Sequence, residues 1–156
     1  MSKLIITAEE WRLERRQFSW GKPKEVKVRK KPRQEELELQ QRCVAWFNEE
    51  YPEYEGLLWG SMNAGKRTPR QGAALKAAGM QEGVPDLSLQ VPKKQFAGLM
   101  VELKVGNRQP SEAQVVMLAR LRGQGYKAVV KRTLEEFQEV VRLYMALPPF
   151  RSGPTF

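Results

Sequence analysis

The stretch GVPDLSLQVPKKQFAGLMVELK, residues 83–104, decides the fold. Two short apolar runs, residues 86–91 and 96–105, flank the polar tetrapeptide Pro92-Lys93-Lys94-Gln95. Apolar runs of this length around a proline-bearing polar loop read as two strands of a hairpin. The strand period of two turns Val101, Leu103 and Val105 to one face and Glu102 and Lys104 to the other. Asp86 follows Pro85 at the start of the first strand, so a hairpin around the PKKQ loop would bring Asp86 near Glu102.

Two carboxylates brought close repel, and one pKa rises unless a cation lies between them. Magnesium resolves that conflict, because it prefers oxygen ligands and keeps several waters. The carbonyl of Leu103 is a further candidate oxygen ligand on the same strand.

Outward from this hairpin the chain alternates short strands with helices. From Glu35, the apolar positions Leu37, Leu39, Val44 and Phe47 predict a helix that stops near Tyr51-Pro52, since proline disfavours continuation. Residues 57–62 read as a strand, and residues 71–78 as a small alanine-rich helix stopped by Gly79. After the hairpin, Ser111 is a good N-cap for a helix over 112–122, closed by Gly123 and Gly125. Residues 126–131 form a fourth strand. Thr133-Leu134-Glu135-Glu136 has the capping-box pattern before a last amphipathic helix that runs to about Ala146. The order αβββαβα, with an extra short helix after the first strand, implies an α/β fold with a mixed central sheet of about four strands flanked by helices.

The sequence before Glu35 differs in kind. Residues 1–34 carry a net charge of +7, against +2 for residues 35–156. Thr7-Ala8-Glu9-Glu10 reads as a capping box for a short helix to about Gln17, with Trp11, Phe18 and Trp20 as docking aromatics. Residues 21–33, GKPKEVKVRKKPR, read as an extended linker or arm. A basic segment favours a polyanion through counterion release; the alternative is a solvated, solubility-promoting tail. The chain thus divides into a basic extension (1–34), one domain (35–147) and a short tail (148–156), with no internal repeat.

Composition removes several chemistries. The 156 residues include one cysteine, Cys43, and no histidine. An intrachain disulfide, a Cys/His zinc site, and Ser-His-Asp or Cys-His nucleophilic catalysis are therefore excluded. Cys43 reads as a small buried hydrophobe. No apolar run approaches the ~20 residues of a membrane span, and the N-terminus lacks a signal-peptide pattern, so the expectation is an intracellular, cytoplasmic, soluble protein. Trp46 and Trp59 read as core or interface residues rather than as platforms for nucleobases.

Gly83-Val84-Pro85-Asp86-Leu87, then Gly98-Leu99-Met100-Val101-Glu102-Leu103-Lys104, then Ser111-x-x-Gln114 resembles the VRR-NUC nucleases of the PD-(D/E)xK superfamily, in particular small stand-alone phage-type members. The resemblance includes Glu36-Leu37-Glu38-Leu39-Gln40 and Asn63-Ala64-Gly65-Lys66-Arg67, and covers about residues 35–147. It implies a restriction-endonuclease-like core. Asp86 and Glu102 would be the main ligands of Mg2+ or Mn2+, with the Leu103 carbonyl assisting. Lys104 would orient or activate the attacking water and stabilise charge on the phosphate. Glu36 would reach the metal cluster, although Glu35 and Glu38 compete with it for the helix register; spacing to Gln40 favours Glu36. Gln40 and Gln114 would order water or a neighbouring ligand. Whether one or two metals bind stays open.

The activity implied is a metal-dependent, structure-selective DNA endonuclease, a homodimer acting on branched DNA in a bacterial or phage-infected cell. Neither an organic cofactor nor a membrane partner is expected. Holliday-junction resolution leads, with flap cleavage as the alternative. A reading from another class is a non-catalytic module that binds branched DNA and recruits partners through its basic arm. Lys66, Arg67 and Arg70 suit phosphate contacts, with a solvated loop as the other reading. Lys30, Lys31 and Arg33 extend the cationic set into the arm.

Overall fold

A computed structural model describes residues 32–61 and 68–150. The expected helix to Gln17 with its aromatics, most of the 21–33 linker, the 63–67 block, Lys30, Lys31, Lys66, Arg67 and the Arg33 side chain lie outside the described residues. The elements are α1 (Pro32–Glu50), a 3-10 turn (Pro52–Tyr54), β1 (Leu58–Gly60), α2 (Pro69–Ala77), β2 (Leu87–Leu89), β3 (Leu99–Leu103), α3 (Glu112–Gly123), β4 (Lys127–Lys131) and α4 (Leu134–Met145). They form the mixed α/β architecture expected, with one four-stranded sheet in the order β1-β2-β3-β4. The first three strands are antiparallel and β4 runs parallel to β3. That parallel pair needs a crossover, which α3 supplies.

The hairpin at the centre of the sequence forms, in shorter strands than the apolar runs suggest. Lys93 and Phe96 exchange backbone hydrogen bonds (3.0 and 2.8 Å), and Lys94 turns the corner with φ 50°. The backbone N–H of Lys94 also donates to the carbonyl of Pro148 (2.8 Å), and Pro149 bridges to Lys93. The first residues of the expected tail are thus tied to the hairpin.

Helix starts depart from expectation where a proline opens the helix. α1 begins at Pro32, three residues before Glu35, because proline at a first helical position has the right φ and no N–H to lose. Its first turn therefore takes residues 32–34 out of the supposed arm. α2 begins at Pro69 behind Thr68, whose side chain accepts from the Gln71 amide while the Gln71 side chain accepts from the Thr68 N–H. At α4, Thr133 accepts from the N–H of Glu136 (3.2 Å), but the Glu136 carboxylate takes the N–H of Arg132 (2.8 Å). The reciprocal half of that capping box falls one residue early.

The sheet buries both faces unequally. Leu58, Leu87, Leu89, Leu99, Val101 and Leu103 face α1 and α4, where Leu39, Cys43, Phe47, Phe137, Val141 and Tyr144 complete the main core. Cys43 is fully buried, and that burial pushes its thiol up to about 12. On the other face Met100 and Ala128 pack against Leu118 of α3 in a smaller cluster. Trp46 is half-buried against Tyr51 and Phe137. Trp59, expected in the core or at an interface, is not in the core: it is 54% exposed on β1. Among the described residues no helix is long and apolar enough to cross a membrane.

Candidate metal and DNA site

The register of the hairpin builds the site. Leu87 stands opposite Val101, so one further step along both strands sets Asp86 opposite Glu102. Pro85 ends the ladder there, having no N–H, and its carbonyl accepts from the Ser61 hydroxyl (2.7 Å). The Leu103 N–H donates instead to Asp86 Oδ2 (2.8 Å), which holds that carboxylate against β3. The Asp86 carbonyl accepts from the Ser61 N–H (2.9 Å) and from Gln40 Nε2 of α1 (3.3 Å).

Glu102 and Lys104 lie on one face of β3 as the strand period requires, and both are buried, at 0% and 7% exposed. Glu102 Oε1 accepts from Lys104 Nζ (2.5 Å) and from Gln114 Nε2. Lys104 Nζ also donates to the Leu103 carbonyl (3.1 Å). Gln114 serves two structures with one amide: its Oε1 accepts the Ser111 N–H (2.8 Å) in the capping box of α3, while its Nε2 reaches Glu102. Glu102 Oε2 is buried with no hydrogen-bond partner among the described residues.

An ionised carboxylate without full hydrogen bonding is costly in such a place. Burial pushes the Glu102 carboxyl up to about 7, with the charge of Asp86 adding to the rise and Lys104 opposing it. Burial also raises Asp86, against the lowering effects of the Leu103 N–H and Lys104. Glu36 adds negative potential to both.

Glu36 and Gln40 sit one turn apart on the face of α1 toward the site, whereas Glu35 is exposed and Glu38 accepts from Gln34 (3.4 Å). The Glu36 carboxylate is nevertheless taken by Arg108 at 3.2 Å. Among the described residues no three acidic, cysteine or histidine side chains stand close enough to hold a metal ion together. Asp86, Glu102 and the Leu103 carbonyl are the candidate donors that share the end of the hairpin. Hard oxygens with one buried, unpartnered carboxylate atom fit Mg2+ or Mn2+, since magnesium is usually held by one or two carboxylates with water and phosphate completing its shell.

Several supporting residues escaped the reading of the sequence. Gly83 has φ +78°, and a Cβ there would lie 2.8 Å from the Gln114 backbone nitrogen, so glycine lets this loop press on the start of α3. A Cβ at Gly60 would strike the Gln40 amide. Ser61 and Arg108 make contacts 24 and 72 residues away along the chain, which no local pattern announces. Arg70 is exposed near the start of α2 and away from the carboxylates' hydrogen bonds.

A model of the VRR-NUC domain matches residues 34–133, nearly two thirds of the chain. The protein belongs to the VRR-NUC family, a nuclease-type family. Two solved chains are similar to it. One, a VRR_NUC domain protein, is 25% identical, with a TM-score of 0.63 over 74% of this chain and 92% of that chain. No curated protein matches.

Proposed function

We propose that the protein is a divalent-metal-dependent endonuclease of branched DNA, with a four-way junction as its leading substrate. One observation carries the reading: in a chain of a nuclease-type family, buried Glu102 has an Oε2 without a hydrogen-bond partner among the described residues, in the row it shares with Asp86, with Lys104 beside it. Asp86, Glu102 and the Leu103 carbonyl would hold Mg2+ or Mn2+, which when bound supplies positive charge against the phosphate oxygens.

The chain's own groups do the rest. Lys104, buried between Glu102 and the Leu103 carbonyl, presents an ammonium that orients the attacking water and donates to the phosphate oxygen as it gains charge. Gln114 fixes the head of Glu102, and Gln40 with Ser61 fixes the backbone of Asp86. Arg108 holds Glu36 at the rim. Lys30, Lys31, Arg33, Lys66, Arg67 and Arg70 contact backbone phosphates, which position DNA without reading its sequence. A homodimer would present two sites to the paired, symmetric strands of a junction.

The test is incubation of the purified protein with labelled four-way junction, flap and linear duplex, in Mg2+, in Mn2+ and in chelator. Paired metal-dependent cuts on symmetric strands of the junction support the reading. Cutting of flaps alone replaces junction resolution with flap cleavage. Tight binding without metal-dependent cutting of any substrate overturns the enzyme and leaves a binding module.

A further inference from the structure

Trp59, Ser88 and Met100 stand opposite one another across β1, β2 and β3. This row lies two residues along the strands from the row of Asp86 and Glu102, on the same face of the sheet. α3 covers its β3 end, where Met100 packs against Leu118, and leaves the β1 end open, so the Trp59 indole is largely exposed. Met117 and Leu121 of α3 stand across the gap. A cavity of about 240 Å³ results, walled by Trp59, Val84, Pro85, Met100, Met117 and Leu121. Ser88 also lines it, and the Ser88 hydroxyl contacts Met100 Sδ (3.0 Å) and accepts from Gln90 (2.5 Å).

The cavity borders the row of Asp86 and Glu102 at its rim, where Ser61 and Pro85 line it. Ser61, on that rim, bonds the carbonyls of both Pro85 and Asp86. Beyond Val84 a second cavity, of about 390 Å³, opens onto Asp86 and Gln114. A phosphate at Asp86 and Glu102 would therefore have an apolar cavity two residues away along the strands. A flat aromatic wall, a proline and a flexible thioether suit the face of a nucleobase, which stacks regardless of its identity. Protein interfaces, by contrast, rest on hundreds of Å² of complementary surface per partner.

We propose that this cavity receives an unpaired nucleobase next to the scissile phosphate, stacked on Trp59 and covered by Met117. The proposal rests on cleavage at Asp86 and Glu102 and adds a selection: a branch point offers an unstacked base readily, whereas continuous duplex must first flip one out.

The experiment measures binding of the full chain, in chelator so that no strand is cut, to four-way junctions carrying 2-aminopurine at successive positions around the branch. One position should lose its emission on binding to wild-type protein. Trp59→Ala should restore that emission and weaken binding about tenfold, and Trp59→Phe should retain most of both. An abasic nucleotide at that position should weaken wild-type binding by a similar factor and leave binding by the Trp59→Ala protein unchanged. Equal wild-type affinity for intact and abasic junctions overturns the pocket, as do losses that multiply when both changes are combined. The abasic comparison uses unaltered protein, so it decides even if the variant misfolds. Base-dependent binding by a protein that never cuts would sink the nuclease and spare the pocket; cutting without base dependence would do the reverse.

Discussion

Replacing Glu102 by glutamine tests whether the site stores unfavourable charge. The substitution keeps the shape of the side chain and removes its ionisation. In the wild type, burial raises the carboxyl from its ordinary 4.5 to about 7, and this is already net of the attraction of Lys104. Each pH unit of displacement corresponds to about 1.4 kcal/mol, so ionising Glu102 costs about 3 kcal/mol of folding stability. The folded protein binds this proton more tightly than the unfolded chain does. The group's contribution is therefore fully present below pH 4.5 and is lost as pH rises through 7. Asp86, also raised by burial, pushes in the same direction. In chelator, wild type and Glu102→Gln should melt together at pH 4.5 and separate as pH rises, with the variant the more stable at pH 8. At a few °C per kcal/mol for a chain of this size, the gap should reach about 10 °C. Calorimetric melts between pH 4.5 and 8 measure it directly. Millimolar Mg2+ or Mn2+ should then raise the wild-type melting temperature at pH 8 and leave the variant nearly unmoved. Parallel curves for the two proteins across the whole pH range would refute the electrostatic account of the site.

Lys104→Ala should leave junction binding largely intact and lower single-turnover cleavage by about 10²-fold or more; cleavage at the wild-type rate would remove Lys104 from the mechanism. Gly83→Ala forces a Cβ onto the α3 backbone at φ +78° and should cost about 2 kcal/mol or more, read as a lower denaturant midpoint. Tyr144→Phe removes the hydrogen bond from Tyr144 Oη to the buried Val91 carbonyl (2.8 Å) and should cost about 1–2 kcal/mol by the same measurement. Deletion of residues 1–31, which leaves α1 whole, should weaken DNA binding and flatten its dependence on salt; an unchanged salt slope would reassign the arm to another role.

Local patterns carried much of this protein. The hairpin, the Ser111 cap, β4 as a strand and the common face of Glu102 and Lys104 follow from proline placement, capping chemistry and a period of two, all short-range properties, whereas the parallel pairing of β4 with β3 is a long-range one. The convergence of Asp86 and Glu102 could be expected from a hairpin, yet a slip of one residue would have put them on opposite faces. The observed pairing of Leu87 with Val101 fixed it.

Other features belong to packing between distant segments. α1 brings Glu36 toward the carboxylates, but a loop residue 72 positions later, Arg108, takes its charge. Trp59, an apolar residue read for the core or an interface, lies open on β1, while Leu118 of α3 packs over Met100 of β3 and Ala128 of β4. The amino-acid sequence by itself determined which residues make strands and helices and which of them could bear chemistry, since those depend on near neighbours. Only the tertiary structure decided which carboxylate oxygen is left without a partner and which aromatic is left uncovered, because burial and hydrogen bonding there are set by segments far apart in the chain.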